Sequence, residues 1–155
     1  MSQVEERLAA MGLTVPEVAA PVAAYVPAIQ DGRRVYTSGQ LPLVAGELAG
    51  AGLVGADLSA EQAQELARTC ALNAIAAVKS VIGDLDKVAQ VIKVVGFVAS
   101  APGFTGQPVV INGASELLAQ AFGDKGAHAR SAVGVAALPL NAPVEVEMIV
   151  ALTEE

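Results

Sequence analysis

The chain has 155 residues, 54% of them apolar and only 16% charged, with a net charge of −7 and a pI of about 4.6. That length suits a single domain spanning residues 1–155 around one sizeable core, and a composition this apolar excludes disorder. Nine basic against sixteen acidic residues, with no basic cluster larger than Arg33-Arg34, argue against a nucleic acid partner.

A short amphipathic helix is predicted over Val4–Met11, ended by Gly12, as an N-terminal extension of residues 1–12. Pro16, Pro21 and Pro27 make the next stretch extended or irregular. The turn signal Asp31-Gly32 separates two short antiparallel strands, Tyr25–Gln30 and Arg34–Ser38. Gly39–Asp57, with five glycines, reads as loop. Ser59 caps a long helix, and Gln62 completes a capping box. Ala63, Leu66, Ala67, Cys70, Ala71, Ala74, Val78 and Val81 recur at helical spacing up to Gly83, the natural stop. Gln90–Ser100 is rich in Val and Ile and reads as a strand that ends at Ala101-Pro102-Gly103. Pro108 opens a second helix that runs through Phe122 to Gly123. Ser131–Ala137 reads as a strand, Leu138–Pro143 as a turn and Val144–Leu152 as a last strand. The order β-β-α-β-α-β-β defines an α+β domain with its helices on one sheet face. No helix remains for the other face, which is expected to meet another subunit.

Mean hydropathy is +0.53, high enough to raise the question of a membrane span. The longest charge-free run, Val94 to Ser115, is broken by Pro102, Gly103, Gly106, Pro108 and Asn112, so no apolar helix crosses a bilayer there. So few charges on a soluble protein favour association, which predicts a homo-oligomer. The segment Ser2-Gln3-Val4-Glu5-Glu6-Arg7 lacks the basic and apolar regions of a signal peptide. One cysteine, Cys70, and one histidine, His128, far apart in sequence, provide neither an internal disulfide nor a dedicated zinc site. The expectation is a cytoplasmic protein without metal or cofactor.

Gly50-Ala51-Gly52-Leu53-Val54-Gly55 fits G-x-G-x-x-G, but the helix starts later, at Ser59, and no acidic residue stands near Leu72, so the segment reads as loop. Cys70 falls on the apolar face of the long helix and reads as a small core residue. His128 lies in a short link before a strand, without a serine or cysteine motif to make a triad, and reads as a surface or subunit contact. Arg130 is the last charge before a long uncharged segment, and its spacing fits an ordinary edge ion pair or a guanidinium that grips a carboxylate with two parallel hydrogen bonds at the sheet's end. Glu145 and Glu147 share the strand face opposite Val144 and Val146, where carboxylates are usually solvated, although in a partly dry cleft one of them can act as a general base or orient a water.

Val35-Tyr36-Thr37-Ser38-Gly39-Gln40-Leu41-Pro42 resembles the strand-and-loop signature of the YjgF/RidA family. So do Ala129-Arg130-Ser131-Ala132-Val133-Gly134-Val135-Ala136-Ala137-Leu138-Pro139 and Val144-Glu145-Val146-Glu147. The resemblance covers Tyr25 to Leu152 and implies a chorismate-mutase-like fold assembled as a homotrimer. Its sheets would form a central barrel with three clefts between subunits. It implies cofactor-free hydrolysis of enamines and imines such as 2-aminoacrylate to 2-keto acids and ammonia. Arg130 matches the residue that holds the substrate carboxylate, and Glu145 the one that positions the attacking water. Tyr25, Ser38, Gly39 and Asn112 match ligand-contacting positions. The implied partner is a small carboxylate, with no nucleic acid and no membrane. Ribonuclease activity, attributed to some relatives, is opposed by the acidic pI and sparse aromatics. A trimer that binds small carboxylates or a partner protein without turnover is the other reading. Ala132 replaces a cysteine frequent in the family, the loop before Arg130 is one residue longer, and the N-terminal helix and the Gly46–Asp57 loop differ from the deaminase archetype. These departures mark a divergent subgroup.

Overall fold

In the computed structural model, which describes residues 1–20 and 24–154, the chain opens with helix α1, Gln3–Ala10. It starts one residue before the predicted bound because Ser2 and Glu5 form a capping box. Glu5 also pairs with Lys79, and Gln3 N donates to both carboxylate oxygens of Asp86 at 3.0 Å, so the extension is docked on the domain. The Lys79 ammonium, with the Ser2 amide and hydroxyl, holds the Glu5 carboxyl down at about 2. Pro21 lies outside the described residues.

Strands β1, Ala28–Asp31, and β2, Arg34–Thr37, form the predicted hairpin around Asp31-Gly32. The first strand begins three residues later than expected. Tyr25 sits in a bend, and Pro27 has no N–H to add to the ladder. The segment Gly39–Asp57 is not all loop. It holds a small hairpin of β3, Leu43–Val44, and β4, Glu47–Leu48. Its two turn residues, Ala45 and Gly46, both have positive φ, 51° and 82°. Alanine rarely adopts that conformation, so the sequence carries no turn signal there. The buried Asn73 amide donates to the carbonyls of Leu41 and Leu43 at 3.0 and 2.9 Å and fixes the hairpin's approach.

Helix α2, Ala60–Ile82, has the predicted Ser59/Gln62 capping box and the Gly83 stop. Of its apolar stripe, Ala63, Ala67, Cys70, Ala71, Ala74 and Val78 are fully buried, while Leu66 is partly buried and Val81 lies exposed near the helix end. Burial pushes the Cys70 thiol well above its ordinary range, as an inert core residue requires. Strand β5, Val88–Ala99, starts two residues earlier than predicted, and helix α3, Gln107–Phe122, has Pro108 in its first turn. Strand β6, Ala129–Val135, is displaced two residues towards the N-terminus from its predicted bounds, and β7, Val144–Leu152, matches them. No described helix is long and apolar enough to cross a membrane.

The five main strands form one sheet in the order β1-β2-β7-β5-β6, with only β5 and β6 parallel. Helices α2 and α3 cover one face, where Val91, Val94, Val98, Val144, Val146, Met148 and Val150 are buried. No helix among the described residues covers the opposite face. Among its residues Tyr36 and Val133 are 41% and 43% exposed, and Val95, Phe97 and Ile149 are partly exposed. The chain therefore has the expected α+β, chorismate-mutase-like architecture, with one sheet face bare.

Candidate functional site

The residues singled out from the sequence gather into two groups. The first surrounds the junction of β2 and β7. Gln40 exchanges backbone hydrogen bonds with Val146, at 2.8 and 3.0 Å, beyond the end of β2. This clamp sets Gly39 directly against Glu145. A Cβ built on Gly39 would stand 1.7 Å from Glu145 Oε1 and 2.7 Å from its Cδ. Gly39 has no left-handed φ, so the need for glycine here is purely one of space. Ser38 ties in the preceding loop: its N donates to the Pro27 carbonyl at 2.7 Å, and its Oγ to the Val26 carbonyl at 2.6 Å. That bracing brings Tyr25 into the same small recess as Gly39 and Gln40.

Glu145 and Glu147 lie on the bare face, as strand alternation predicts, with partial burial. Burial raises the Glu145 carboxyl above its usual value, and the neighbouring charge of Glu147 adds to the rise. A carboxylate tuned upward in this way is a stronger base once ionised.

The second group lies at the edge strand. Arg130 pairs in register with Val94, whose side chain is buried under the helices, so the guanidinium turns to α3 rather than to the bare face. Its Nη1 donates to Asn112 Oδ1 at 2.9 Å and to Ser115 Oγ at 3.2 Å, and its Nη2 to the Pro108 carbonyl at 3.1 Å. Pro108, Asn112 and Ser115 are spaced to line one face of α3. A guanidinium has five N–H groups. Three are engaged here, and among the described residues nothing accepts from Nε or from the second N–H of Nη2. Those two atoms share one edge of the fork, the arrangement a carboxylate meets with two parallel bonds. Ala132 lies two residues on, facing the same way and partly buried against the core.

The two groups do not converge within one chain. Glu145 pairs with Phe97, and Phe97 with Val133, three residues along β6 from Arg130. Two strand spacings across and three residues along separate the Cα atoms of Glu145 and Arg130 by about 14 Å. Their side chains also leave opposite faces of the sheet.

Sequence reasoning did not identify Ser115 as a partner of Arg130, nor did it find a serine for His128. The fold supplies one: Ser115 Oγ lies 2.8 Å from His128 Nε2. The sequence signals were Asn112 and Ser115 at i, i+3, and His128 and Arg130 at i, i+2. The G-x-G-x-x-G segment stays outside both groups. Gly52 N bonds the Asn141 carbonyl at 2.9 Å, Asp57 accepts from Leu53 N at 2.8 Å, and no helix begins inside the motif.

A mixed five-stranded sheet in the order β1-β2-β7-β5-β6 with both long helices on one face is the chorismate-mutase-like fold. Residues 5–152 match the family model described as "YjgF/chorismate mutase-like, putative endoribonuclease", and the chain belongs to this family. It is 43% identical to Protein TCP17 of Trypanosoma cruzi over 153 residues, 97% of this chain and 94% of the relative. The crystal structure of Atu1372 from Agrobacterium tumefaciens, of unknown function, superposes with a TM-score of 0.92 at 48% identity, covering 97% of this chain and 93% of that one. E. coli TdcF with bound serine superposes with a TM-score of 0.64 at 27% identity, covering 88% and 94%. The much closer match to Atu1372 than to TdcF places the chain in a divergent subgroup.

Proposed function

We propose that the protein hydrolyses small enamines and imines of the 2-aminoacrylate type to 2-keto acids and ammonia, without a cofactor, in clefts between copies of the chain. The observation that carries this reading is Arg130, held by three acceptors on α3 with Nε–H and one N–H of Nη2 left for a carboxylate. The serine bound to TdcF is an amino acid with such a carboxylate, and the relation supports the ligand class.

The chemistry needs little more than placement. 2-Aminoacrylate tautomerises to 2-iminopropanoate, whose C2 is electrophilic. Arg130 holds the carboxylate and so fixes the orientation of C2. Glu145 takes a proton from a water whose oxygen forms the new bond to C2. It returns that proton to the imine nitrogen to give a carbinolamine. The carbinolamine hydroxyl then passes its own proton through Glu145 to the amino nitrogen, and the C–N bond breaks as the C=O bond forms, so that ammonia leaves a keto acid behind.

Arg130 and Glu145 leave opposite faces of the sheet, so a complete site requires a second copy. In this reading the bare face, with Tyr36, Val95, Phe97, Val133 and Ile149, joins three chains around a central barrel. One copy then presents Arg130 and Asn112 opposite its neighbour's Tyr25, Ser38, Gly39 and Glu145. The test is release of ammonia and pyruvate from 2-aminoacrylate generated in situ. A rate above buffer supports the reading. Pyruvate binding without turnover would instead favour a trimeric carboxylate binder.

Glu145 must be ionised to accept the water's proton, so kcat/KM falls as pH drops through its raised pKa. Glu147→Gln removes the second cause of that rise. The acid limb of the pH–rate profile should therefore move to lower pH in Glu147→Gln. A limb that stays put or moves up would exclude Glu145 as the titrating base.

A further inference from the structure

His128 and Ser115 take no part in the chemistry above, yet Ser115 is bonded to the residue that anchors it and His128 is bonded to Ser115. His128 immediately precedes β6, and strand alternation puts residues 128 and 130 on the same face, towards α3. His128 Nδ1 lies 2.6 Å from the Gly126 carbonyl oxygen, and Nε2 lies 2.8 Å from Ser115 Oγ. A carbonyl only accepts, so in the neutral ring Nδ1 carries the proton and Nε2 is an acceptor. The Ser115 hydroxyl then donates to His128 while its oxygen accepts from Arg130 Nη1 at 3.2 Å. The result is a directed chain from Arg130 through Ser115 to His128, locked at its far end by the Gly126 carbonyl.

The pairing changes what Ser115 does. A serine inside a helix ordinarily donates to the carbonyl one turn back. Here His128 draws the proton away from the helix and turns a lone pair towards the guanidinium. The pair is not built as a nucleophile and base. Its third member is a backbone carbonyl rather than a carboxylate, Ser115 sits in mid-helix, where the backbone N–H groups are engaged, and its oxygen already accepts from a cation.

We propose that Ser115 and His128 are positioning residues for Arg130. Together they use the second N–H of Nη1 and hold the guanidinium so that the edge formed by Nε and Nη2 faces a monocarboxylate ligand. Asn112 and the Pro108 carbonyl alone leave Nη1 half engaged and the fork free to pivot. This proposal rests on the reading of Arg130 as a carboxylate anchor.

The chain has a single histidine, so one set of imidazole resonances reports the pair. Long-range 15N NMR of histidine-labelled protein, with the ring neutral, should show Nδ1 protonated and Nε2 bare. Ser115→Ala and Arg130→Ala should each shift Nε2. Calorimetry with pyruvate should show a roughly tenfold loss of affinity in Ser115→Ala and in His128→Leu. The double variant should be no worse than either single one, and His128→Gln, whose amide oxygen can take the serine proton, should recover most of the loss. A ring protonated on Nε2, or Ser115→Ala and His128→Leu proteins that bind pyruvate like wild type while Arg130→Ala does not, would overturn the proposal. Should wild-type protein fail to bind pyruvate, the carboxylate reading falls. The NMR response then judges the pairing alone, and an Nε2 unmoved in Arg130→Ala overturns it.

Discussion

Replacing Arg130 with alanine should lower kcat/KM for 2-aminoacrylate hydrolysis by about a hundredfold or more, and abolish measurable pyruvate binding. Two charge-assisted bonds from one fork to a carboxylate are worth about 3–5 kcal/mol together. Loss of orientation at C2 adds to that. The substitution should leave the fold intact. Asn112, Ser115 and the Pro108 carbonyl lie beside a partly exposed edge strand, where water can replace the guanidinium. Arg130→Lys keeps the charge but not the fork, and should fall between wild type and Arg130→Ala. Steady-state kinetics alongside thermal melts separate the effects. Wild-type turnover in a folded Arg130→Ala protein would remove the anchor from the mechanism.

The Gly39→Ala variant should show the complementary defect. The added methyl would stand 1.7 Å from Glu145 Oε1, and the Gln40–Val146 clamp keeps the loop from backing away. The Glu145 carboxylate must therefore swing off its seat. A displacement of about 1 Å in a reacting group can cost about a hundredfold in rate, and a loss of that order is expected in kcat. Pyruvate affinity should stay within a few-fold, because Arg130 is untouched. Comparison of kcat with a pyruvate titration checks both halves. A Gly39→Ala enzyme with normal kcat would mean that Glu145 does no chemistry from this position.

Much of this arrangement was legible in the sequence, and the gaps have physical causes. The Ser59/Gln62 box, the apolar spacing of α2 and the Pro108 start of α3 are local signals, and the local structure follows them. The β3–β4 hairpin escaped notice because its strands have two residues each and its turn places an alanine at positive φ. The alternation of Val144, Glu145, Val146 and Glu147 shows which face Glu145 takes. The small residues Ala129, Ala132 and Gly134 give β6 no such contrast, so the direction of Arg130 emerges only from its register with Val94. The partnership of Ser115 with His128 and the seat of Glu145 on Gly39 are tertiary contacts between distant segments. No periodicity encodes them. The family motifs marked Arg130, Asn112, Ser38, Gly39 and Glu145, but the separation of these residues into two groups on opposite faces is a finding of the fold.

That separation is the core of the account, and mixing inactive variants tests it most directly. Arg130→Ala and Glu145→Gln proteins, each inactive alone, are dissociated, mixed and reassembled, and ammonia release from 2-aminoacrylate is measured. Interfaces that pair the intact Glu145 of one chain with the intact Arg130 of another should restore a substantial fraction of wild-type activity. A reassembled mixture as inactive as its two components would contradict a site shared between copies of the chain.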